Sequence, residues 1–209
     1  NLFSEPFKSP QTIYSTGGME ALAQDALDKS QSLLDLGINV NFAPVCDVST
    51  DPNDFIYDRT LGQDAETTAD YITRTVLTMG DAGEMAVLKH FPGYGSNADT
   101  HTGIAVDQRP METFENSDLL PFKAGIEAGA PFVLVSHNIV NCMDPELPAS
   151  LSPAVHKILR EECGFDGIAI TVYATQDTVE SDSFGKTYDA DAGKDTAFYT
   201  LAEFNALTE

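Results

Sequence analysis

The chain has 209 residues, 42% of them apolar and 21% charged, which is enough for one domain with a sizeable core over residues 1–209. Eleven basic residues against 33 acidic ones give a net charge of −22, the reverse of the basic footprint that unaided nucleic-acid binding requires. No run approaches the roughly 18 uninterrupted apolar residues of a membrane span, and no basic segment leads into an apolar one as in a signal peptide. A cytoplasmic location is the expectation, with the reservation that the sequence starts at Asn1 and not at Met.

Helix and strand signals then alternate along the chain. Met19, Leu22, Ala26, Leu27, Leu33 and Leu34 recur near helical spacing and predict a helix over 17–36, capped by Thr16 and stopped by Gly37. Residues 38–45 read as a short buried strand. Ala65, Ala69, Ile72, Val76 and Met79 predict a second helix over 64–82, with Gly83 behind it. Met85 to Leu88 is the next apolar run, and it opens directly into Lys89-His90-Phe91-Pro92-Gly93-Tyr94-Gly95. Residues 119–128 read as helical and 132–135 as a strand ending in Ser136-His137-Asn138. Ser152-Pro153 combines a hydroxyl cap with proline at the first helical position, so a helix is predicted from there to Cys163, ended by Gly164. Residues 168–172 read as a fourth strand and 197–200 as a candidate fifth.

Strands separated by helices predict βα units on a parallel sheet. The polar, Gly- and Pro-rich stretches at 46–63, 89–110 and 136–150 follow strands, whereas the helix-to-strand joints are tight. Barrels and doubly wound sheets place their chemistry in such loops. Cys46, Cys142 and Cys163 are odd in number and dispersed, which argues against a disulfide framework or a zinc ribbon and for reduced thiols. His137 ends a strand, where lining a site and a structural role are equally open readings. His156 reads as a surface residue of its helix. The four histidines lack the spacing that sets two metal ligands on one helical face, so no metal site is expected.

The densest polar cluster spans 85–103. Asp99 stands two residues before His101, where a carboxylate can fix one imidazole nitrogen and leave the other for proton transfer. Alone, that pair also fits a solvated loop. Taken with Lys89-His90-Phe91-Pro92-Gly93-Tyr94-Gly95, the segment resembles the signature of glycoside hydrolase family 3, most closely its β-N-acetylhexosaminidase branch. Asn41-Phe42-Ala43-Pro44-Val45-Cys46-Asp47-Val48, Asp58-Arg59-Thr60-Leu61-Gly62 and Gly164-Phe165-Asp166-Gly167-Ile168 follow in the order that family shows. The likeness covers roughly residues 10–180 and leaves 181–209 poorly matched.

This resemblance implies a TIM-like parallel (β/α) barrel that hydrolyses terminal β-linked N-acetylglucosamine with retention of configuration. It implies His101 as acid/base paired with Asp99, and Arg59, Lys89 and His90 as sugar-binding residues, with His137 as a further candidate. It also implies a small carbohydrate substrate and no cofactor, and says nothing of oligomeric state. Two departures stand out. The family's nucleophilic Asp aligns with Val172, and valine cannot form a glycosyl-enzyme ester. Asp166 belongs to the family's ordinary G-F-D-G turn, and Asp177 is a remote substitute. The family's first two strands, with a segment ending in E-G-G, have no counterpart, so an incomplete barrel of fewer than eight strands is expected. The alternative to a hydrolase is a non-catalytic carbohydrate-binding or scaffold derivative of the same fold.

Overall fold

The computed structural model describes residues 7–96 and 105–171. Its centre is a sheet of four parallel strands, β1 (Val40–Asn41), β2 (Met85–Phe91), β4 (Phe132–Val135) and β6 (Ile168–Thr171), in the order β1-β2-β4-β6. Each strand is laid beside its predecessor with no reversal of order. That progression builds a barrel wall; a doubly wound sheet reverses at a switch point. Among the described residues the wall holds fewer than eight strands, as expected. β3 (Val106–Asp107) and β5 (Ile139–Val140) form a separate two-stranded parallel pair within the loops that follow β2 and β4.

Residues Ala86, Val87 and Leu88 of β2 are all buried, as befits a parallel strand covered on both faces. Helix α2 (Ala65–Ala82) covers this wall between α1 (Pro10–Asp35) and α4 (Leu119–Glu127). Phe91 meets Phe122 of α4 edge to face at 5.2 Å, and Gly125 lets α4 approach the side chains of Leu88 and Ile72. The limits of α2 follow the predicted signals: Asp64 accepts a hydrogen bond from the Thr67 amide at 2.8 Å, and Gly83 closes the helix at φ 91°.

Several expected boundaries are corrected. α1 begins at Pro10 under a Ser9 cap, and Thr16 lies inside it, its hydroxyl donating back to the Thr12 and Ile13 carbonyls. Ser9-Pro10 is the same start signal as Ser152-Pro153, and Gly18 at φ 63° only interrupts the helix. The 38–45 strand is reduced to β1, because Pro44 has no N–H for the ladder. The chain still runs beside β2: the Val87 amide donates to the Ala43 carbonyl at 2.9 Å and the Cys46 amide to the Lys89 carbonyl at 2.7 Å. The 119–128 helix starts earlier, at α3 (Met111–Thr113), and reaches α4 through a π-turn over Phe114–Asp118. The helix after Ser152 likewise begins as α5 (Pro153–Lys157) and ends in a π-turn over Ile158–Glu162. The 168–172 strand is seen as β6; Val172 and the candidate strand at 197–200 lie outside the described residues. No described helix is long and apolar enough to cross a membrane.

Candidate functional site

The strand ends at the loop-bearing side of the sheet carry the polar groups. Between Lys89, paired with Leu134, and Phe91, paired with Val135, the β2–β4 register shifts by one residue and leaves His90 out of the ladder. A bulge of this kind re-aims a side chain. His90 turns to Asp47, a fully buried carboxylate in the irregular stretch after β1. Asp47 Oδ2 accepts hydrogen bonds from His90 Nδ1 at 2.7 Å and the His90 amide at 3.1 Å, while Oδ1 accepts from the Tyr94 amide at 2.7 Å. The carboxylate therefore holds the imidazole as its Nδ1–H tautomer. The remaining nitrogen, Nε2, lies 3.5 Å from Nη2 of Arg59. Tyr94, itself buried, sets its ring edgewise to the imidazole at 5.7 Å.

Arg59 ends a 3-10 turn (Tyr57–Arg59) in the loop after β1 and is exposed. Lys89 is the other cation of this corner. Burial, with the Arg59 charge second, pushes its ammonium down to about 8, against the opposing pull of the Asp47 carboxylate. Two cations and an imidazole thus face one loop region of a chain with net charge −22. Arg and Lys offer donors and no acceptors, so the corner suits a ligand rich in oxygen acceptors.

The depressed Lys89 value has a consequence for stability. Between about pH 8 and 10.5 the unfolded chain still holds the proton that folded Lys89 has released, so this group makes stability rise with pH across that window. Below about pH 8 its buried charge destabilises in full. Urea melts at about pH 7 and about pH 10 should therefore show Lys89→Met more stable than wild type at the lower pH, with the advantage shrinking at the higher one. A constant advantage would assign the effect to packing.

His137 follows β4 at the same end of the sheet. Its Nδ1 lies 2.8 Å from the Ser150 hydroxyl, on a 3-10 turn over Ala149–Leu151. The Ser150 carbonyl bonds His156 Nε2 at 3.0 Å. His156 is only 2% exposed, which overturns its reading as a surface residue. The inward face of α5 carries Val155 and His156 together, and burial lowers the imidazole's proton affinity. Cys46 and Cys163 are buried and Cys142 exposed, all as free thiols. Asp99, His101 and Val172 lie outside the described residues. Among the described residues no group of three or more His, Cys, Asp and Glu side chains could hold a metal ion.

A second ionic cluster supports the loop after β2, and sequence reasoning missed it. Arg109 Nε and Nη2 donate to Asp107 at 2.7–3.1 Å, Nη1 to Asp118 Oδ1 at 2.9 Å, and Nη2 to the Gly93 carbonyl at 3.2 Å. The π-turn brings Asp118 here, and burial, outweighing Arg109, pushes its carboxyl up to about 6. The available signal was Asp107-Gln108-Arg109, a D-x-R pair set between a strand and a proline. The sequence also gives no role to Asp47, within Asn41–Val48, because its partners are far away along the chain.

Gly93 shows how closely the cluster packs. It sits at φ 125°, and a Cβ there would lie 2.5 Å from Asp118 Oδ1. Gly93→Ala is expected to destabilise the chain by about 2–4 kcal/mol, from backbone strain together with the clash. A denaturation midpoint equal to wild type would show that the turn relaxes freely.

With this geometry in place, the comparisons with known proteins decide the family. The profile of the glycosyl hydrolase family 3 N terminal domain matches residues 3–191. The chain belongs to glycosyl hydrolase family 3. A β-hexosaminidase of Stenotrophomonas maltophilia strain R551-3 is 36% identical over 171 residues, 79% of this chain and 50% of the relative. Among solved structures, the family 3 β-N-acetylglucosaminidase of Paenibacillus sp. str. FPU-7 superimposes with a TM-score of 0.76 at 32% identity, covering 86% of this chain and 34% of that one. The Neisseria gonorrhoeae NagZ complex with N-trifluoroacetyl-D-glucosamine gives 0.72 at 26% identity, covering 80% and 51%. The chain spans about half the length of the curated relatives it matches, for example 40% of a Xylella fastidiosa β-hexosaminidase and 50% of the Stenotrophomonas one. Its parallel strands and α/β order are those of the family 3 barrel.

Proposed function

We propose that this chain carries the sugar-binding corner of a retaining β-N-acetylhexosaminidase, one that takes terminal β-linked N-acetylglucosamine. The observation that carries the reading is the cationic corner itself: His90, seated by Asp47, touches Arg59 beside half-buried Lys89 at the C-terminal ends of parallel strands. Arg59 and Lys89 donate to sugar hydroxyls or the acetamido oxygen, and His90 Nε2 accepts from a hydroxyl. His137, held by Ser150, is a further wall of the same region, and Asp99 with His101 forms the proton-transfer pair. Support comes from the β-hexosaminidase relatives and from the gonococcal neighbour's glucosamine ligand.

Val172 favours a second reading for the chemical step. Double displacement needs a carboxylate on the far face of the anomeric carbon, and removing one member of a cooperating set usually costs orders of magnitude in rate. The chain is therefore expected to bind N-acetylglucosamine without turning over its glycosides by the covalent route. The test is mass spectrometry of the chain after incubation with a slow fluorinated N-acetylglucosaminide, beside an assay of aryl N-acetyl-β-glucosaminide cleavage. No adduct and no aryl release are expected. An adduct on any Asp or Glu restores the full hydrolase reading.

A further inference from the structure

Nearly all the donors of Arg109 are spent on one arrangement. It bridges Asp107 of β3 and Asp118 at the end of the π-turn, two carboxylates 1% and 2% exposed, and it also grips the Gly93 carbonyl. Its guanidinium lies over the Phe114 ring at 4.4 Å. The turn below is shaped to this group. Gly93 and Gly95 have positive φ, and a side chain at Gly95 would run into the Arg109 guanidinium, as one at Gly93 would into Asp118. An isolated structural ion pair does not require two glycines and a helix irregularity around it; a fixed turn does.

That turn leads straight to His90. The residue after Gly93 is Tyr94, which makes two contacts with the His90 pair: its amide donates to Asp47 Oδ1, and its ring edge packs on the imidazole. Asp47 in turn holds His90 Nδ1 and the His90 amide. From this chain of contacts we infer that Arg109 is a positioning residue for the sugar site: by fixing the Gly93–Tyr94 turn it keeps Asp47 and His90 in register, so that His90 stays in its Nδ1–H tautomer with Nε2 turned to the ligand. The ligand side of this inference rests on the proposed sugar-binding function; the His90 side does not.

The test uses the 209-residue chain with Arg109→Lys, which keeps a cation between the two carboxylates but lacks the planar fork that also spans to the Gly93 carbonyl. The readout is the long-range proton–nitrogen correlation spectrum of the histidine rings, with the His90 signal assigned through His90→Gln. Wild type is expected to show a single Nδ1–H tautomer at His90. Arg109→Lys is expected to show a tautomer mixture and a Kd for N-acetylglucosamine raised on the order of tenfold, as for other groups that orient a ligating side chain. A purely structural role predicts a lower Tm with the His90 signal and the affinity of the folded protein unchanged, and that result overturns the inference. If Arg109→Lys does not fold, Asp118→Asn removes one anchor at constant volume and is judged by the same two readouts. Absence of sugar binding by wild type would refute the proposed function, while the His90 tautomer in the unliganded variants still decides the role of Arg109.

Discussion

Asp47→Ala is expected to be the most damaging single substitution in the site, lowering stability by about 3–5 kcal/mol and abolishing measurable affinity for N-acetylglucosamine. Three donors converge on this fully buried carboxylate: the His90 amide, the His90 ring and the Tyr94 amide. Truncation leaves all three without an acceptor, and each unsatisfied buried donor costs about 1–3 kcal/mol. Water entering the space left by the side chain offsets part of that sum. The imidazole also loses the group that fixes its tautomer, so the loss of affinity should exceed what lost stability alone explains. Urea denaturation and calorimetry at a temperature where the variant is still folded separate the two effects. A variant with wild-type affinity would show that His90 needs no support from Asp47.

The second large effect runs in opposite directions for stability and binding. Lys89→Met should raise stability near neutral pH and weaken N-acetylglucosamine binding at least about tenfold. In the folded chain burial brings the ammonium from 10.5 to about 8, a gap equivalent to about 3 kcal/mol of unfavourable charge. Partial solvent access to the side chain reduces this, so a gain of about 1–2 kcal/mol is expected from methionine, whose stem fills the same apolar track. Binding loses a charged donor, worth about 1.5–3 kcal/mol. A residue that destabilises its own fold and strengthens a ligand is the signature of a functional site. Melting curves with calorimetry on the same preparation check both signs. A stability loss in Lys89→Met would mean that the ammonium is paired in solution and does not serve as an open donor.

Much of the fold was legible wherever local chemistry and tertiary packing agree. Asp64 and Gly83 frame α2, and the short apolar runs at Met85 and Phe132 are strands because both faces of a parallel sheet are covered. The errors fall where tertiary partners override local pattern. The start of the helix at Met111 was hidden because Glu112, Glu115, Asn116 and Ser117 give no apolar stripe, and the π-turn there answers to Arg109. The 38–45 strand was shortened by Pro44, although the run of apolar residues suggested a longer one. His156 looked solvated between Val155 and Lys157, but its partner is the Ser150 carbonyl, on a turn that periodicity cannot locate. In the proposed site, Arg59, Lys89 and His90 stand out in the sequence by their place after strands and by family likeness, and the structure sets Arg59 against His90. Asp47 and the Arg109 cluster escaped, since a carboxylate's role depends on which distant donors meet it.

If Arg59, Lys89 and His90 form the proposed site for the N-acetylglucosamine ring, a crystal structure of the chain grown or soaked with N-acetylglucosamine will show the sugar held by all three. The sugar is predicted in the corner between the Tyr57–Arg59 turn and the end of β2, with its oxygens in hydrogen-bonding contact with the Arg59 guanidinium, Lys89 Nζ and His90 Nε2. A sugar ordered elsewhere on the chain at saturating concentration, with that corner occupied only by water, would contradict it.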